Sequence, residues 1–164
     1  MIKALIVDQS DDDSVSASIH EIEASQLPDD GEVDIAVEYS TINYKDGLCL
    51  NGLGRLVRNY PHVPGIDLAG TVISSRADGI VAGDRVTMNG FRSGEIRWGG
   101  YATRANGKAE WIVKLPDGMS TRHSQMLGTA GFTAMQSILR LEANGMTPNG
   151  CLLYTSPSPR DSRV

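Results

Sequence analysis

The sequence predicts a β-rich, barrel-like body followed by a helical segment. Three observations carry this. Residues 1–116 hold roughly seven short runs with strand character, separated by turn residues. Gly accounts for 18 of the 164 residues, against a usual level of roughly 7%, while aromatics make up only 5%. From Ser120 to Asn144 the apolar period changes from strand-like to helical.

The elements follow in order. Residues 2–7 are apolar on both faces and read as a strand, closed by Ser10-Asp11-Asp12-Asp13-Ser14. This acidic run is a solvated hairpin tip or, less simply, a cation site. Residues 15–22 read as the returning strand. Val33, Ile35, Val37 and Tyr39 alternate with Asp34, Ala36, Glu38 and Ser40, the period of a half-buried strand. Asn43 to Leu50 reads as a short helix closed by Asn51-Gly52. Strands are then expected within Val63–Ser74, at Arg85–Met88, Tyr101–Arg104 and Glu110–Leu115, with a glycine-punctuated loop over Gly90–Gly100. In the helical segment Ser120 is the expected N-cap. Leu127, Ala130, Ala134, Ile138 and Leu141 form an apolar stripe. Gly128 and Gly131 should kink the helix, and Gly145 should end it.

Composition excludes several classes. A net charge of -5 argues against a general nucleic-acid binder. No apolar run reaches the length of a membrane span. Cys49 and Cys151 have no metal-type spacing, so a disulfide framework is not expected and a reducing cytoplasm is the expected setting. His20, His62 and His123 lie in different elements. Neither a G-x-S-x-G turn nor a phosphate-binding glycine loop is present.

Three segments stand out. Asn43-Tyr44-Lys45-Asp46 places four polar or amphipathic side chains at the end of a strong strand. Pro64-Gly65-Ile66-Asp67-Leu68-Ala69-Gly70-Thr71-Val72 and Gly128-Thr129-Ala130-Gly131-Phe132-Thr133-Ala134 combine glycines with polar residues, which permits close backbone approach. For each, a turn or a tight packing contact is the plain alternative.

Read in order, with Ser40-Thr41-Ile42 before the first, Arg58-Asn59-Tyr60-Pro61 before the second, and Trp98-Gly99-Gly100-Tyr101-Ala102 between the second and third, these segments resemble the medium-chain dehydrogenase/reductase superfamily. More closely, they resemble its zinc-independent acrylyl-CoA reductase branch. The likeness covers about residues 1–150. It implies a GroES-like β-barrel catalytic domain over 1–116, a linker and helices over 117–150 leading into a Rossmann domain, and NADPH as cofactor. Zinc-dependent relatives carry a Cys after the third strand and a Gly-His-Glu motif. The matching positions here are Asn43 or Tyr44, and Ile66 in Gly65-Ile66-Asp67, so no metal is expected.

The implied reaction is hydride addition to the alkene of an acyl-CoA-type thioester. Tyr44 and Asn43 are the implied donors to the thioester oxygen, with Lys45 and Asp46 fixing their geometry. Tyr44 is alternatively an anchor for the nicotinamide ribose. Thr129 and Thr133 are implied to face the nicotinamide. Arg55, Arg58 and Arg97 are candidates for CoA phosphates or, equally, ordinary surface. Full-length relatives are expected to be homo-oligomeric. Competing readings are a quinone oxidoreductase and a non-enzymatic GroES-like binding module. The likeness ends at about Cys151. Residues 151–164 read as a disordered, unrelated tail, and the chain as an N-terminal fragment, inactive alone, with an exposed apolar patch over residues 126–141.

Overall fold

The computed structural model describes residues 1–147. The expected loss of likeness at about Cys151 and the tail over 151–164 lie outside the described residues. Contacts divide the chain into two compact units, Met1–Gly131 and the part from Phe132 onward.

The first unit carries seven strands: β1 (Ile2–Gln9), β2 (Val15–Ile22), β3 (Val33–Tyr39), β4 (Asp67–Ser75), β5 (Arg85–Asn89), β6 (Arg104–Gly107) and β7 (Val113–Lys114). β1 and β2 form the expected antiparallel hairpin, from Ile2 opposite Ile22 to Gln9 opposite Val15. At its tip the Asp12 carboxylate accepts hydrogen bonds from the hydroxyls of Ser10 and Ser14. The other five strands form one antiparallel sheet in the order β6-β3-β4-β5-β7.

That sheet is curled. Its two outer strands are joined by only the residues between Gly107 and Val113, three of which (Ala109–Trp111) form a 3-10 turn. Such a link reaches roughly 16 Å, whereas the outer strands of a flat five-stranded sheet lie roughly 19 Å apart. The barrel-like expectation follows from this connection. Val33, Ile35, Leu68, Val72, Val86, Met88 and Ala105 fill the concave side. A second cluster, Ile2, Ala4, Ile6, Ile22, Val63 and Ala102, seats the hairpin. Where β3 bulges, an added Cβ at Gly70 would lie 1.9 Å from the Ala36 carbonyl oxygen, so only glycine fits.

The apolar strand expected after Pro64-Gly65 is β4, Asp67–Ser75. Two other strand expectations shift. The strand expected at 101–104 lies at 104–107, because Tyr101 and Thr103 donate backbone hydrogen bonds outside the sheet, to Pro64 and Lys3. The strand expected at 110–115 shrinks to Val113–Lys114, since Ala109–Trp111 turns.

Two helices complete the described residues. α1 (Tyr44–Leu50) begins at Asn43, whose backbone N–H donates to the Asp46 carboxylate at 2.8 Å. α2 (Thr121–Ala143) starts as expected, with Ser120 Oγ accepting from His123 N–H at 3.1 Å. It breaks at Gly128 (φ 51°, ψ -159°) and ends before Gly145 (φ 88°). Among the described residues, Met126 and Leu127 in the first unit and Phe132, Met135, Ile138, Leu139 and Leu141 in the second are each exposed. No described helix is long and apolar enough to cross a membrane.

Candidate functional site

Leu68, Val86 and Met88 point into the core. By strand alternation their neighbours Asp67, Ala69, Thr87 and Asn89 therefore face the other side. Asp67 lies opposite Asn89 and Ala69 opposite Thr87. The first part of α2 covers this face through polar and small residues: Thr121, Ser124, Gln125 and Gly128 are buried. Gln125 Nε2 donates to Thr87 Oγ1 at 3.0 Å. Thr121 Oγ1 donates to Glu38 Oε2 at 2.6 Å, and Thr71 Oγ1 donates to Glu38 Oε1 at 2.7 Å. These two hydroxyls, Thr121 first, hold the Glu38 carboxyl below the usual range.

The centre of the seam is Asp67, which is fully buried. Its Oδ2 accepts from Thr41 Oγ1 at 2.8 Å, Asn43 Nδ2 at 3.0 Å and Thr129 N–H at 2.8 Å. Its Oδ1 accepts from Thr129 Oγ1 at 2.5 Å. The strand β4 thus meets both the turn before α1 and the first residue after the Gly128 break. A buried carboxylate is costly to desolvate, and multiple donors are the usual compensation.

The turn over 40–43 is anchored at almost every residue. Ser40 Oγ donates to Asp67 O at 2.6 Å, and Tyr101 OH donates to Thr41 O at 3.0 Å. Asn43 Nδ2 also donates to Thr41 Oγ1 at 2.9 Å. Below the turn, buried Asp46 accepts from Gly65 N–H at 3.2 Å and Ile66 N–H at 3.0 Å. Lys45 pairs with the buried Glu95 carboxylate at 2.8 Å. Against this fixed base, Ile42 and Tyr44 project outward, 89% and 83% exposed. An anchored turn that exposes an aliphatic and a phenolic side chain is suited to contact a ligand.

The other expected site residues are distributed as follows. Thr129 joins Asn43 through Asp67. Thr133 is exposed and belongs to the second unit, where its carbonyl accepts from Ser137 Oγ at 2.9 Å. Arg55 and Arg58 are exposed in the stretch after α1 and form no ion pair among the described residues. Arg97 differs: it pairs with Asp30 and lies 5.0 Å from the Trp111 ring centroid, so its charge already has partners. Among the described residues no group of three or more His, Cys, Asp or Glu side chains is placed to hold a metal ion.

Asp67 and Thr41 were not expected as site residues. A signal existed for the first: an acid between Ile66 and Leu68 in an apolar strand occupies a position where charge is rarely buried without a dedicated partner. Thr41 offered none, because its partner lies 26 residues away.

Residues 29–117 match the alcohol dehydrogenase GroES-like domain family. Acrylyl-CoA reductase AcuI of Ruegeria pomeroyi is 50% identical over 157 residues, covering 94% of this chain and 47% of that protein. The crystal structure of the YhdH oxidoreductase from Salmonella enterica in complex with NADP superposes with a TM-score of 0.85 at 45% identity, covering 89% of this chain and 44% of that one. Bacillus subtilis protein YhfP with NAD bound gives a TM-score of 0.84 at 43% identity, covering 90% and 44%. The chain therefore spans about half the length of the relatives it matches.

Proposed function

Because the chain belongs to the alcohol dehydrogenase GroES-like domain family, we propose that its β-domain is the substrate-side half of an NADPH-dependent oxidoreductase. The proposed substrate is the alkene of an acrylyl-CoA-type thioester. One observation carries this reading: in a chain 50% identical to an acrylyl-CoA reductase, the exposed Tyr44 hydroxyl follows an Asn43 that is fixed to the buried Asp67.

The residues present suit a nicotinamide dinucleotide. The negative charge of Asp67 lies beneath Thr41, Asn43 and Thr129. The groups around it are neutral hydroxyls and an amide, which neither repel phosphates nor compete for the reacting carbon. Thr129 is the residue of this cluster assigned to the cofactor side, and Thr133 follows it four residues on. When bound, NADPH supplies the hydride for the reduction.

This chain's part is electrostatic. As the β-carbon of the alkene gains an electron pair, negative charge develops on the thioester oxygen. The Tyr44 hydroxyl donates to that oxygen and lowers the barrier. Solvent then protonates the α-carbon, which completes saturation of the double bond. Arg55 and Arg58 are assigned to the CoA phosphates, since neither forms an ion pair among the described residues.

The test joins the 164 residues to the C-terminal half of the Ruegeria relative and follows NADPH oxidation. Turnover of acrylyl-CoA above that of quinones is expected, with Tyr44→Phe slower by about a hundredfold. Faster turnover of quinones would instead make this a quinone oxidoreductase. A folded joined chain that reduces neither substrate would favour a GroES-like binding module.

A further inference from the structure

A carboxylate only accepts hydrogen bonds, so every group facing it must turn a proton inward. Asp67 receives the hydroxyl protons of Thr41 and Thr129, the backbone N–H of Thr129 and one Nδ2 proton of Asn43. Asn43 Nδ2 also lies 2.9 Å from Thr41 Oγ1, which is itself 2.8 Å from Asp67 Oδ2, so one Nδ2 proton is shared between the two oxygens. The amide of Asn43 therefore has a single orientation, because the reverse would set its oxygen against the carboxylate. That Nδ2 proton, and the hydroxyl proton of Thr129, are committed inside the cluster. The exposed Tyr44 keeps its hydroxyl proton for the solvent side.

The same carboxylate fixes backbone. Gly128 leaves helical geometry, so Thr129 starts a new helical turn whose first N–H needs an acceptor. Asp67 provides it from β4 while holding the turn over 40–43 from which Tyr44 projects.

We propose that Asp67 is a positioning residue for the reduction. It orients the Asn43 amide, binds the Thr129 hydroxyl to the scaffold and fixes the segment from which the Tyr44 hydroxyl reaches the thioester oxygen. This deepens the proposed function and rests on it. Asp67 touches no substrate itself; it acts through the placement of Tyr44 and Thr129.

Asp67→Asn and Asp67→Glu test this. In the 164-residue chain, hydrogen exchange at the Thr129 amide should quicken about tenfold in Asp67→Asn, with Leu68 and Val86 unchanged. The side-chain NH2 signals of Asn43 should shift. In the joined enzyme, kcat should fall about tenfold with KM for acrylyl-CoA nearly constant. The double variant Asp67→Asn/Tyr44→Phe should be no slower than Tyr44→Phe alone, since both changes act at one donor.

Unchanged Thr129 and Asn43 signals would overturn the proposal, as would equal acceleration at Leu68 and Val86 or fully multiplicative losses in the double variant. Asp67→Glu keeps the charge and moves it by one methylene, and the same readouts apply. Failure of both variants to fold would also overturn it, making Asp67 a residue of the fold alone. An inactive but folded wild-type joined enzyme would refute the functional reading instead, while the exchange data would still judge the clamp.

Discussion

Asp67 and Thr129 are joined twice, through the Thr129 backbone N–H at 2.8 Å and its hydroxyl at 2.5 Å. The two residues are 62 positions apart in sequence, and the pair fastens the start of a helical turn to a central strand. Thr129→Val keeps the side-chain shape and removes one donor to a buried carboxylate. The expected loss of stability is about 1.5–3 kcal/mol. Urea unfolding checks this: the midpoint should fall with the slope unchanged.

Gly128 occupies φ 51°, ψ -159°, a conformation essentially reserved for glycine. An added Cβ would also lie 3.0 Å from both Asp67 Oδ2 and Thr41 Cγ2. Gly128→Ala should therefore destabilise by about 1–3 kcal/mol. Combined with Thr129→Val it should cost less than the sum, because both changes disturb Asp67. Four unfolding curves, forming one double-mutant cycle, measure the difference.

His62 is buried, and its Nε2 has no partner among the described residues. Burial lowers its pKa from 6.5, only partly offset by a hydrogen bond with the Gly94 backbone. The sign follows. Above 6.5 both folded and unfolded states hold a neutral imidazole, so this contribution to stability is complete. As pH falls from 6.5 toward the lowered folded value, the unfolded state takes up the proton first and stability is lost. His62→Gln should flatten the pH dependence in that window. An identical slope in chemical denaturation from pH 7 to about pH 5 would refute the assignment.

Cys49 is buried, with its thiol donating to the Gly94 carbonyl at 3.3 Å. Burial first, then the nearby Asp46 and Glu95 charges, push its pKa up to about 11. Little thiolate forms near neutral pH, and access is blocked as well. Alkylation followed by peptide mapping should therefore leave Cys49 unmodified at pH 8 until denaturant is added. Rapid labelling of the native chain would contradict the burial described.

Phe132, Met135, Ile138, Leu139 and Leu141 of the second unit are exposed apolar side chains among the described residues. Binding of a hydrophobic dye and concentration-dependent association are expected. Replacing Met135 and Leu139 with Gln should reduce both. A monodisperse chain that does not bind the dye would show that this surface is covered.

What the sequence determined by itself was local. Strand alternation from Val33 to Tyr39, the Asn43 and Ser120 starts, the Gly128 break and the Gly145 stop all depend on a residue's own conformational preferences and its near neighbours. The likeness of the ordered motifs identified the family through the same linear information. The tertiary structure decided which polar groups meet. Arg97 is engaged by Asp30, from the other side of the β3–β4 hairpin in sequence. Thr121, Ser124 and Gln125, rather than the apolar stripe, form the buried side of the first part of α2. Asp67, set between two apolar residues, gathers protons from Thr41, Asn43 and Thr129. Periodicity reports which residues avoid water. It carries no information on which distant donor will satisfy a buried acceptor, because that pairing exists only once the chain has closed on itself.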